Sequence, residues 1–422
     1  MSMIQPRGGR SGEEVQDSPT FDVARAFEDA RRLAFPRRVG TPGERRAARL
    51  IERSFEASGL VSRRECFPVP FLARGAWVRA VLALAGLLAI VGLWLGPDLP
   101  WASAGCWLLV MATSPLPWRL SGWMAKGWPA RLSSCNVLAA LRFSGEPEPP
   151  ARVVFLAHHD SKSQPLPTGV RVGLVIAVIT ASGILALGNL VAALGGAGPV
   201  IEALRTTLGW VATSAIAALA LNFTGNRGPG ALDNASGVAT LLELARTWRP
   251  RPEAPVEPLW VATGAEEIGL DGARDFVRRH EAWCRAHPTL IVNLDSVGAG
   301  DRVYLAGDPS ALALARESAE RLRQRWARLR WIGAGMDHQP LTDRGLMAVS
   351  LLGDVVGRSL TMHSPRDTVD RIEPEALQRA GELAAEIAWT WAERQRTRSD
   401  ATVQRSIPDR TDDEAPKIAS LA

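Results

Sequence analysis

Tyrosine, lysine and paired cysteine motifs are scarce in this sequence. The chain has 422 residues, with one tyrosine and four cysteines. Cys66, Cys106, Cys135 and Cys284 show no C-x-x-C spacing, so we expect reduced packing residues rather than a disulfide framework. The net charge is only +5, and nearly all cationic residues are arginines spread along the chain. Since no basic stripe is interleaved with aromatic residues, we expect no nucleic-acid partner.

The two ends of the chain are polar and lack apolar runs. Residues 1–18 are rich in glycine, serine and charge, so we expect no secretory signal peptide there. Residues 396–422 have a similar composition. We predict that both ends are disordered tails.

Four apolar runs stand in the first half of the chain, at residues 77–96, 101–117, 172–194 and 206–223. Runs of about 20 apolar residues match the thickness of a bilayer core. Tryptophans lie near their ends, as is typical of membrane interfaces. The runs predict four transmembrane helices in two hairpins, at residues 74–120 and 169–224. The alternative is a set of buried helices in a large soluble domain.

The rest of the chain alternates between short strand patterns and amphipathic helix patterns. Strands are predicted at residues 64–69, 153–156, 258–263, 289–294, 302–305 and 348–352. Helices are predicted at residues 20–35, 42–58, 236–247, 272–285, 311–327 and 374–393. This alternation predicts an α/β fold with a largely parallel mixed sheet and helices on both faces. One soluble domain would then comprise residues 19–73, 121–168 and 225–395, interrupted by the two hairpins.

Five short acidic and histidine motifs stand out in the soluble parts, and several follow strand patterns. Ligand sites of open α/β sheets lie at the carboxyl ends of strands. Histidine and carboxylate side chains without thiolates suit a catalytic zinc, manganese or cobalt ion. The motifs are His158-His159-Asp160, Asp233-Asn234-Ala235-Ser236-Gly237, Glu266-Glu267-Ile268-Gly269, Asn293-Leu294-Asp295 and His363-Ser364-Pro365-Arg366-Asp367.

In this order the motifs resemble those of the dinuclear zinc aminopeptidase family, which includes bacterial leucyl aminopeptidases and glutamate carboxypeptidase II type enzymes. The resemblance implies two divalent ions, most often zinc, with a peptide as substrate. It implies that His158, Asp233 and Asp295 hold one ion. Asp233, Glu267 and His363 would hold the other, so that Asp233 bridges the two. It further implies a cis peptide after Asp233.

The resemblance also assigns roles to carboxylates that are not ligands. Glu266 matches the general base, Asp160 the carboxylate that orients His158, and Asp367 a possible partner of His363. Two cations that share a carboxylate lower the pKa of a bridging water to near 7, and a neighbouring carboxylate can then shuttle the proton. The alternative without a function is that Glu266-Glu267 is a solvent-exposed turn and that His158 is a buried structural residue. It is common for single motifs and improbable for five in order.

The chain departs from the family at the oxyanion donor, which many members supply from a tyrosine. Tyr304 is the only tyrosine and follows Asp295 too closely to fill that position. His338 and Arg366 are candidates. The alternative for Asp337-His338 is a pair that orders its loop.

We therefore expect a membrane-anchored metallopeptidase that acts on free N-termini. Alternatives on the same metal site are a carboxypeptidase or a glutaminyl cyclase, and outside enzymology a non-catalytic scaffold on a peptidase fold. A transporter would need polar or broken membrane segments, which the four runs lack. Arginines and lysines flank the domain side of the runs, whereas only Arg205 lies on the far side. The positive-inside rule then predicts an inner or plasma membrane protein with a cytoplasmic catalytic domain.

Overall fold

The computed structural model describes residues 20–113, 132–141, 151–196, 198–330 and 335–406. Its centre is an eight-stranded sheet in the order β1-β2-β4-β3-β5-β8-β6-β7. The strands are β1 Val61–Val69, β2 Leu132–Ala140, β3 Arg152–His158, β4 Glu257–Thr263, β5 Thr289–Asp295, β6 Val303–Gly307, β7 Trp326–Arg328 and β8 Met347–Leu352.

The middle of the sheet is parallel and both of its faces are covered. β4, β3, β5 and β8 pair in parallel, whereas β1, β2 and β6 join through antiparallel pairs. Alternate residues of β3 enter opposite cores: Val153 and Phe155 on one face, Val154 and Leu156 on the other. Strands buried on both faces read as continuous apolar runs, as β3 does. The predicted mixed α/β fold is thus confirmed.

Helices of the soluble part cover these two faces. They are α1 Val23–Leu33, α2 Pro42–Ala57, α7 Gly237–Thr247, α8 Asp271–Ala286, α9 Pro309–Arg321, the short α10 Gln339–Thr342 and α11 Pro374–Ser406. α1, α2, α7, α9 and α11 pack on one face, and α8 and α10 on the other. Thr41 caps α2 by accepting a hydrogen bond from the Glu44 amide.

Three local predictions differ from the structure. The helix predicted at residues 311–327 ends at Arg321, because Arg323 has φ +53° and the chain turns into β7. β2 has no counterpart among the predicted strands. α11 runs to Ser406, past residue 396 where we predicted the tail, and residues 407–422 lie outside the described residues, as do 1–18.

The apolar runs form four helices beside the soluble domain. They are α3 Phe71–Leu95, α4 Pro100–Thr113, α5 Thr168–Ala193 and α6 Pro199–Ala220. Three are long and apolar enough to cross a bilayer: Phe71–Leu95, Thr168–Ala193 and Glu202–Ala220. α4 is described for only 14 residues, and residues 114–131 lie outside the described part, so the fourth predicted span is not confirmed.

The prediction of reduced cysteines is wrong for two of the four. Cys66 of β1 and Cys135 of β2 lie directly opposite each other and form a disulfide. Antiparallel register brings them together, but the first hairpin separates them by 69 residues, so no local spacing indicates the pair. Cys106 and Cys284 are free thiols, and Cys284 is a buried packing residue as expected.

Candidate metal centre

The predicted site residues gather at the carboxyl edge of the parallel strands. His158 is the last residue of β3 and Asp295 the last of β5. Glu266 and Glu267 follow the end of the neighbouring β4 at Thr263. Because β4, β3 and β5 are adjacent and parallel, their carboxyl ends meet at one edge.

Asp233 reaches this edge from the tight turn that precedes α7. Gly230 enters the turn with φ +62°, and the peptide between Asp233 and Asn234 is cis, as expected. The Asn234 side chain donates to the Leu294 carbonyl at 2.8 Å and accepts from the Ser296 amide at 2.9 Å. Asn234 therefore fixes the Asp233 turn to the Asp295 loop.

Gly237, the last residue of the Asp233 motif, permits this close approach. A Cβ at Gly237 would lie 2.4 Å from the Leu294 carbonyl oxygen and 2.3 Å from Asn234 Oδ1. Real Cβ atoms do not approach backbone oxygens so closely, so a side chain here would push α7 away from β5.

Two groups of three ligand side chains share Asp233. Nε2 of His158 lies 3.1 Å from Asp233 Oδ1 and 3.7 Å from Asp295 Oδ1. Nε2 of His363 lies 2.9 Å from Asp233 Oδ2 and 3.0 Å from Glu267 Oε2. Each group has its ligand atoms within 4.8 Å of one another. The two oxygens of Asp233 thus face different groups, as a bridging carboxylate must.

The chemistry of these side chains fits a pair of divalent ions. Imidazole and carboxylate are the ligands of catalytic zinc, with bonds of about 2.0 to 2.2 Å. Separations of about 3 Å between ligand atoms suit that geometry. In addition, Oε1 of Glu267 is buried with no hydrogen-bond partner among the described residues. A buried carboxylate oxygen without a donor is favourable only with a cation nearby.

Charges within the cluster favour ionised ligands. Burial opposes ionisation of Asp233, but hydrogen bonds with His158 and His363 outweigh it and hold its pKa well below the usual value. Burial and Asp233 also oppose ionisation of Glu267, yet His363 and Lys162 lower its pKa to about 2. Ionised carboxylates are the form that binds metal.

Asp160 supports the site differently from the expected role. Its two carboxylate oxygens accept from the backbone amides of Glu266 and Glu267, at 3.0 and 3.2 Å. His158 Nδ1 lies 3.2 Å from the Asp160 carbonyl oxygen and 3.7 Å from its carboxylate. The backbone of Asp160 therefore fixes the His158 ring, and its carboxylate fixes the Glu266-Glu267 turn.

Glu266 lies at the site without belonging to either ligand group. Its Oε2 is 4.0 Å from His158 Nε2, and only 9% of the residue is exposed. Burial raises its pKa well above the ordinary glutamate value, and the charges of Glu267 and Asp295 add to this while His158 opposes it. A carboxylate with a raised pKa beside two ligand groups suits a general base.

Several residues near the site hold left-handed backbone. Ala265, Ser296 and His363 have φ values of +57°, +54° and +59°. His363 is itself a candidate ligand, Ser296 follows the candidate ligand Asp295, and Ala265 precedes Glu266. Such conformations are uncommon for residues other than glycine and concentrate at functional sites.

Asp367 does not contact His363, so the expected partnership is wrong. The Asp367 carboxylate accepts from the amides of Leu232 at 2.7 Å and Asp233 at 3.1 Å, and it therefore holds the Asp233 turn. Burial raises the pKa of Asp367 to about 7. The partners of His363 Nδ1 are Thr168 at 2.8 Å and Arg171 at 2.7 Å.

The candidate oxyanion donors have other contacts. His338 Nδ1 lies 2.7 Å from Ser350 Oγ, and burial lowers its pKa to about 4, which keeps the ring neutral. Asp337 accepts from the Thr263 hydroxyl. Arg366 is exposed, and Tyr304 packs in an apolar cluster with Met336 and Leu352. These contacts favour the loop-ordering alternative for Asp337-His338.

Arg37 is a site residue that sequence reasoning missed. Its guanidinium is 1% exposed and donates to the carbonyls of His159, Pro229 and Gly230, among others. It therefore joins the His158 strand end to the Asp233 turn. No sequence signal distinguishes Arg37 from the many other arginines.

Comparisons with known sequences match parts of the chain. The family model described as peptidase family M28 matches residues 211–388. Aminopeptidase YwaD of Bacillus subtilis (strain 168) is 31% identical over 166 residues, which cover 37% of this chain and 36% of that protein. The alkaline phosphatase isozyme conversion protein of Escherichia coli (strain K12) is 36% identical over 73 residues, 17% of this chain and 21% of that protein. The matches thus span about a third or less of these relatives.

Comparisons of folds extend over nearly the whole chain. The structure of BSAP, a zinc aminopeptidase from Bacillus subtilis, superposes with a TM-score of 0.53 at 16% identity, over 88% of this chain and 95% of that one. Fimbriiglobus ruber glutaminyl cyclase has the same TM-score at 16% identity, over 91% and 99%. At these identities the likeness shows a shared fold. The family match over residues 211–388, the ordered ligand motifs and this shared fold together make the chain similar to peptidase family M28 and to zinc aminopeptidases.

Proposed function

We propose that this protein is a dinuclear zinc metallopeptidase that removes residues from the free N-terminus of peptides. The observation that carries the proposal is the pair of ligand groups that share Asp233 while Glu266 stands beside them unbound to either. A fold that had lost the activity would be expected to lack at least one of these side chains. The similarity to an aminopeptidase supports cleavage from the N-terminal end of the substrate peptide.

The side chains divide the work of hydrolysis. Two bound divalent ions would supply Lewis acidity to a water molecule and to the substrate carbonyl. His158, Asp233 and Asp295 would hold one ion, and Asp233, Glu267 and His363 the other. Glu266 would accept the proton of the attacking water and deliver it to the leaving amine. Asp160 holds the backbone of Glu266 in place for that transfer.

An assay with blocked and unblocked substrates tests this function. Purified protein supplied with zinc or cobalt is given aminoacyl anilides, the same compounds with acylated N-termini, and N-acylated peptides. We expect release from the free compounds alone. Hydrolysis of blocked peptides from the carboxyl end would replace the proposal with a carboxypeptidase.

Glutaminyl cyclase activity is the second candidate, because two glutaminyl cyclase structures share the fold over most of this chain. The presence of both ligand groups and of Glu266 favours the peptidase. Peptides that begin with glutamine distinguish the two. Ring closure of the first glutamine with release of ammonia, and with no free amino acid formed, would favour the cyclase.

We also propose that α3, α5 and α6 span a membrane, with α4 completing the two hairpins. Arg205, the single basic residue on the far side, donates to the Gly96 carbonyl at 2.8 Å and so joins the far ends of the two hairpins. The surplus of basic residues at the near ends supports a cytoplasmic catalytic domain. The Cys66–Cys135 disulfide argues for the opposite side, because disulfides persist mainly in oxidising compartments.

A further inference from the structure

One ligand group lies against the first turn of a candidate membrane helix. α5 begins at Thr168, whose Oγ1 is 2.8 Å from His363 Nδ1. Nη2 of Arg171 donates to Thr168 Oγ1 at 2.9 Å. The apolar run of α5 starts at Val172, and four residues of helix advance only about 6 Å. The ligand His363 therefore lies near the level at which the apolar part of α5 begins.

The first hairpin contacts the site at the same level. Arg74, in the first turn of α3, forms a buried ion pair with Asp271 and donates to the Ile268 carbonyl at 3.2 Å. Ile268 lies in the turn that carries Glu266 and Glu267, and Asp271 begins α8 two residues after that turn. Both hairpins thus begin on loops of the metal centre.

The helices leave the site together as one packed bundle. Buried residues of α3, α4, α5 and α6 form a single apolar cluster that includes Ala89, Trp107, Leu185 and Ile216. The far ends meet where Arg205 donates to Gly96. A bilayer around this bundle would accordingly have one surface at the far ends and the other beside the metal centre.

Exposed apolar side chains occur between the bundle and the site. Val356 and Leu360 are 50% and 60% exposed, and they lie in the segment that leads to His363. The carbonyl of Ser359 in that segment accepts from the Gly169 amide of α5 at 2.9 Å. Phe223, just after α6, is 50% exposed. Apolar residues at this boundary suit the interface of a bilayer, which accepts side chains that water does not.

We propose that the substrates of this site are polypeptides whose N-terminus lies at the membrane surface, such as the short exposed ends of membrane-inserted chains. This inference rests on the proposed function. A site at the level of the lipid headgroups can reach residues close to the bilayer. An anchored chain also presents its end there at a high effective concentration.

The extent of trimming measures the height of the site above the bilayer. The protein, in lipid nanodiscs with zinc, is given a peptide with one apolar membrane segment preceded by a long polar tail. Mass spectrometry of the product then gives the number of tail residues that remain before the apolar segment. We expect trimming to leave about five or fewer, because an extended residue spans about 3.3 to 3.6 Å. A stop with more than about five residues left, some 17 Å of extended chain, would overturn the inference.

The same polar tail without its apolar segment separates this inference from the proposed function. If the zinc-loaded protein trims neither peptide, the proposed function fails. If it trims the free tail fully but halts far from the bilayer on the anchored peptide, only the inference fails.

Leu360→Asp tests the exposed apolar side chains between the helix bundle and the metal centre. Leu322→Asp, on an exposed leucine directly after α9, is the matched control. We expect Leu360→Asp to lower the ratio of anchored to free trimming, and Leu322→Asp to leave it unchanged. An equal ratio in both variants would count against the membrane approach.

Discussion

In the proposed mechanism, Glu266 is the residue on which proton transfer depends most directly. Replacing it with glutamine keeps its size but removes the proton shuttle, so we expect Glu266→Gln to lose about 10² to 10⁴-fold in kcat. The ligand groups are untouched, so zinc content should stay at the wild-type level. Turnover and metal content measured on the same sample check both statements. A Gln variant with wild-type turnover would remove Glu266 from the mechanism.

Asp233 should behave in the opposite way, because it belongs to both ligand groups. Asp233→Asn replaces a carboxylate by a weaker, uncharged ligand. We expect it to lose bound zinc, measured as metal per protein after dialysis. Asp301→Asn, on an exposed loop away from the ligand groups, serves as a control. Full zinc content in Asp233→Asn would contradict the bridging role.

Glu44 gives a pH dependence that does not involve the metal ligands. Burial raises its pKa from 4.5 to about 7, although Ser134 and the Gly40 amide donate to it. Between these values the folded protein binds the proton more strongly than the unfolded chain does. Stability of the metal-free protein should therefore fall as pH rises from about 4.5 towards 7. Glu44→Gln should flatten that slope in thermal unfolding scans, and an unchanged slope would refute the assignment.

At the scale of elements, the first turn of α5, a candidate membrane helix, contacts the proposed metal ligand His363. With zinc on Nε2 of His363, Nδ1 carries the proton and can donate to Thr168 Oγ1, and the Arg171 guanidinium, which can only donate, then keeps Thr168 Oγ1 as its partner in place of Nδ1. Loss of such a partner typically costs about 10 to 100-fold in metal affinity. We expect that loss for Thr168→Val in competition with a chelator.

Thr213→Val is the control for that experiment. Thr213 lies on α6 and donates only within its own helix, to the Gly209 carbonyl at 2.8 Å. It should leave zinc affinity unchanged. Equal affinities in the two variants would mean that α5 does not position His363.

The elements also show what could be predicted from the sequence. The candidate ligands His158 and Asp295 stand at the ends of apolar strands. The local apolar pattern therefore predicts both the strand and the position of the side chain at its end. Asp367, by contrast, was assigned to the wrong partner, because its contact depends on how the Asp233 turn folds. The Cys66–Cys135 pair and the contacts of Arg37, Arg74 and Thr168 join segments far apart in sequence, and no local spacing indicates them.

At the scale of the whole molecule, the prediction concerns the side of the proposed membrane on which the catalytic domain lies. From the arginine distribution we expect a C-terminal green fluorescent protein to fluoresce and a C-terminal alkaline phosphatase, which folds only outside, to be inactive. In that case Cys66 and Cys135 should react with maleimide after rapid lysis, because the cytosol keeps thiols reduced. Phosphatase activity together with unreactive cysteines would place the catalytic domain outside.

The insertion of both hairpins within the soluble domain also sets the order in which the protein can mature. β1 leaves the ribosome before the first hairpin and its neighbour β2 after it. His158 precedes the second hairpin, whereas the other four ligands follow it. Chains fold progressively as they are synthesised. The candidate metal centre therefore cannot be assembled until both hairpins have been synthesised, so a nascent chain that has not yet made the second hairpin carries no complete site.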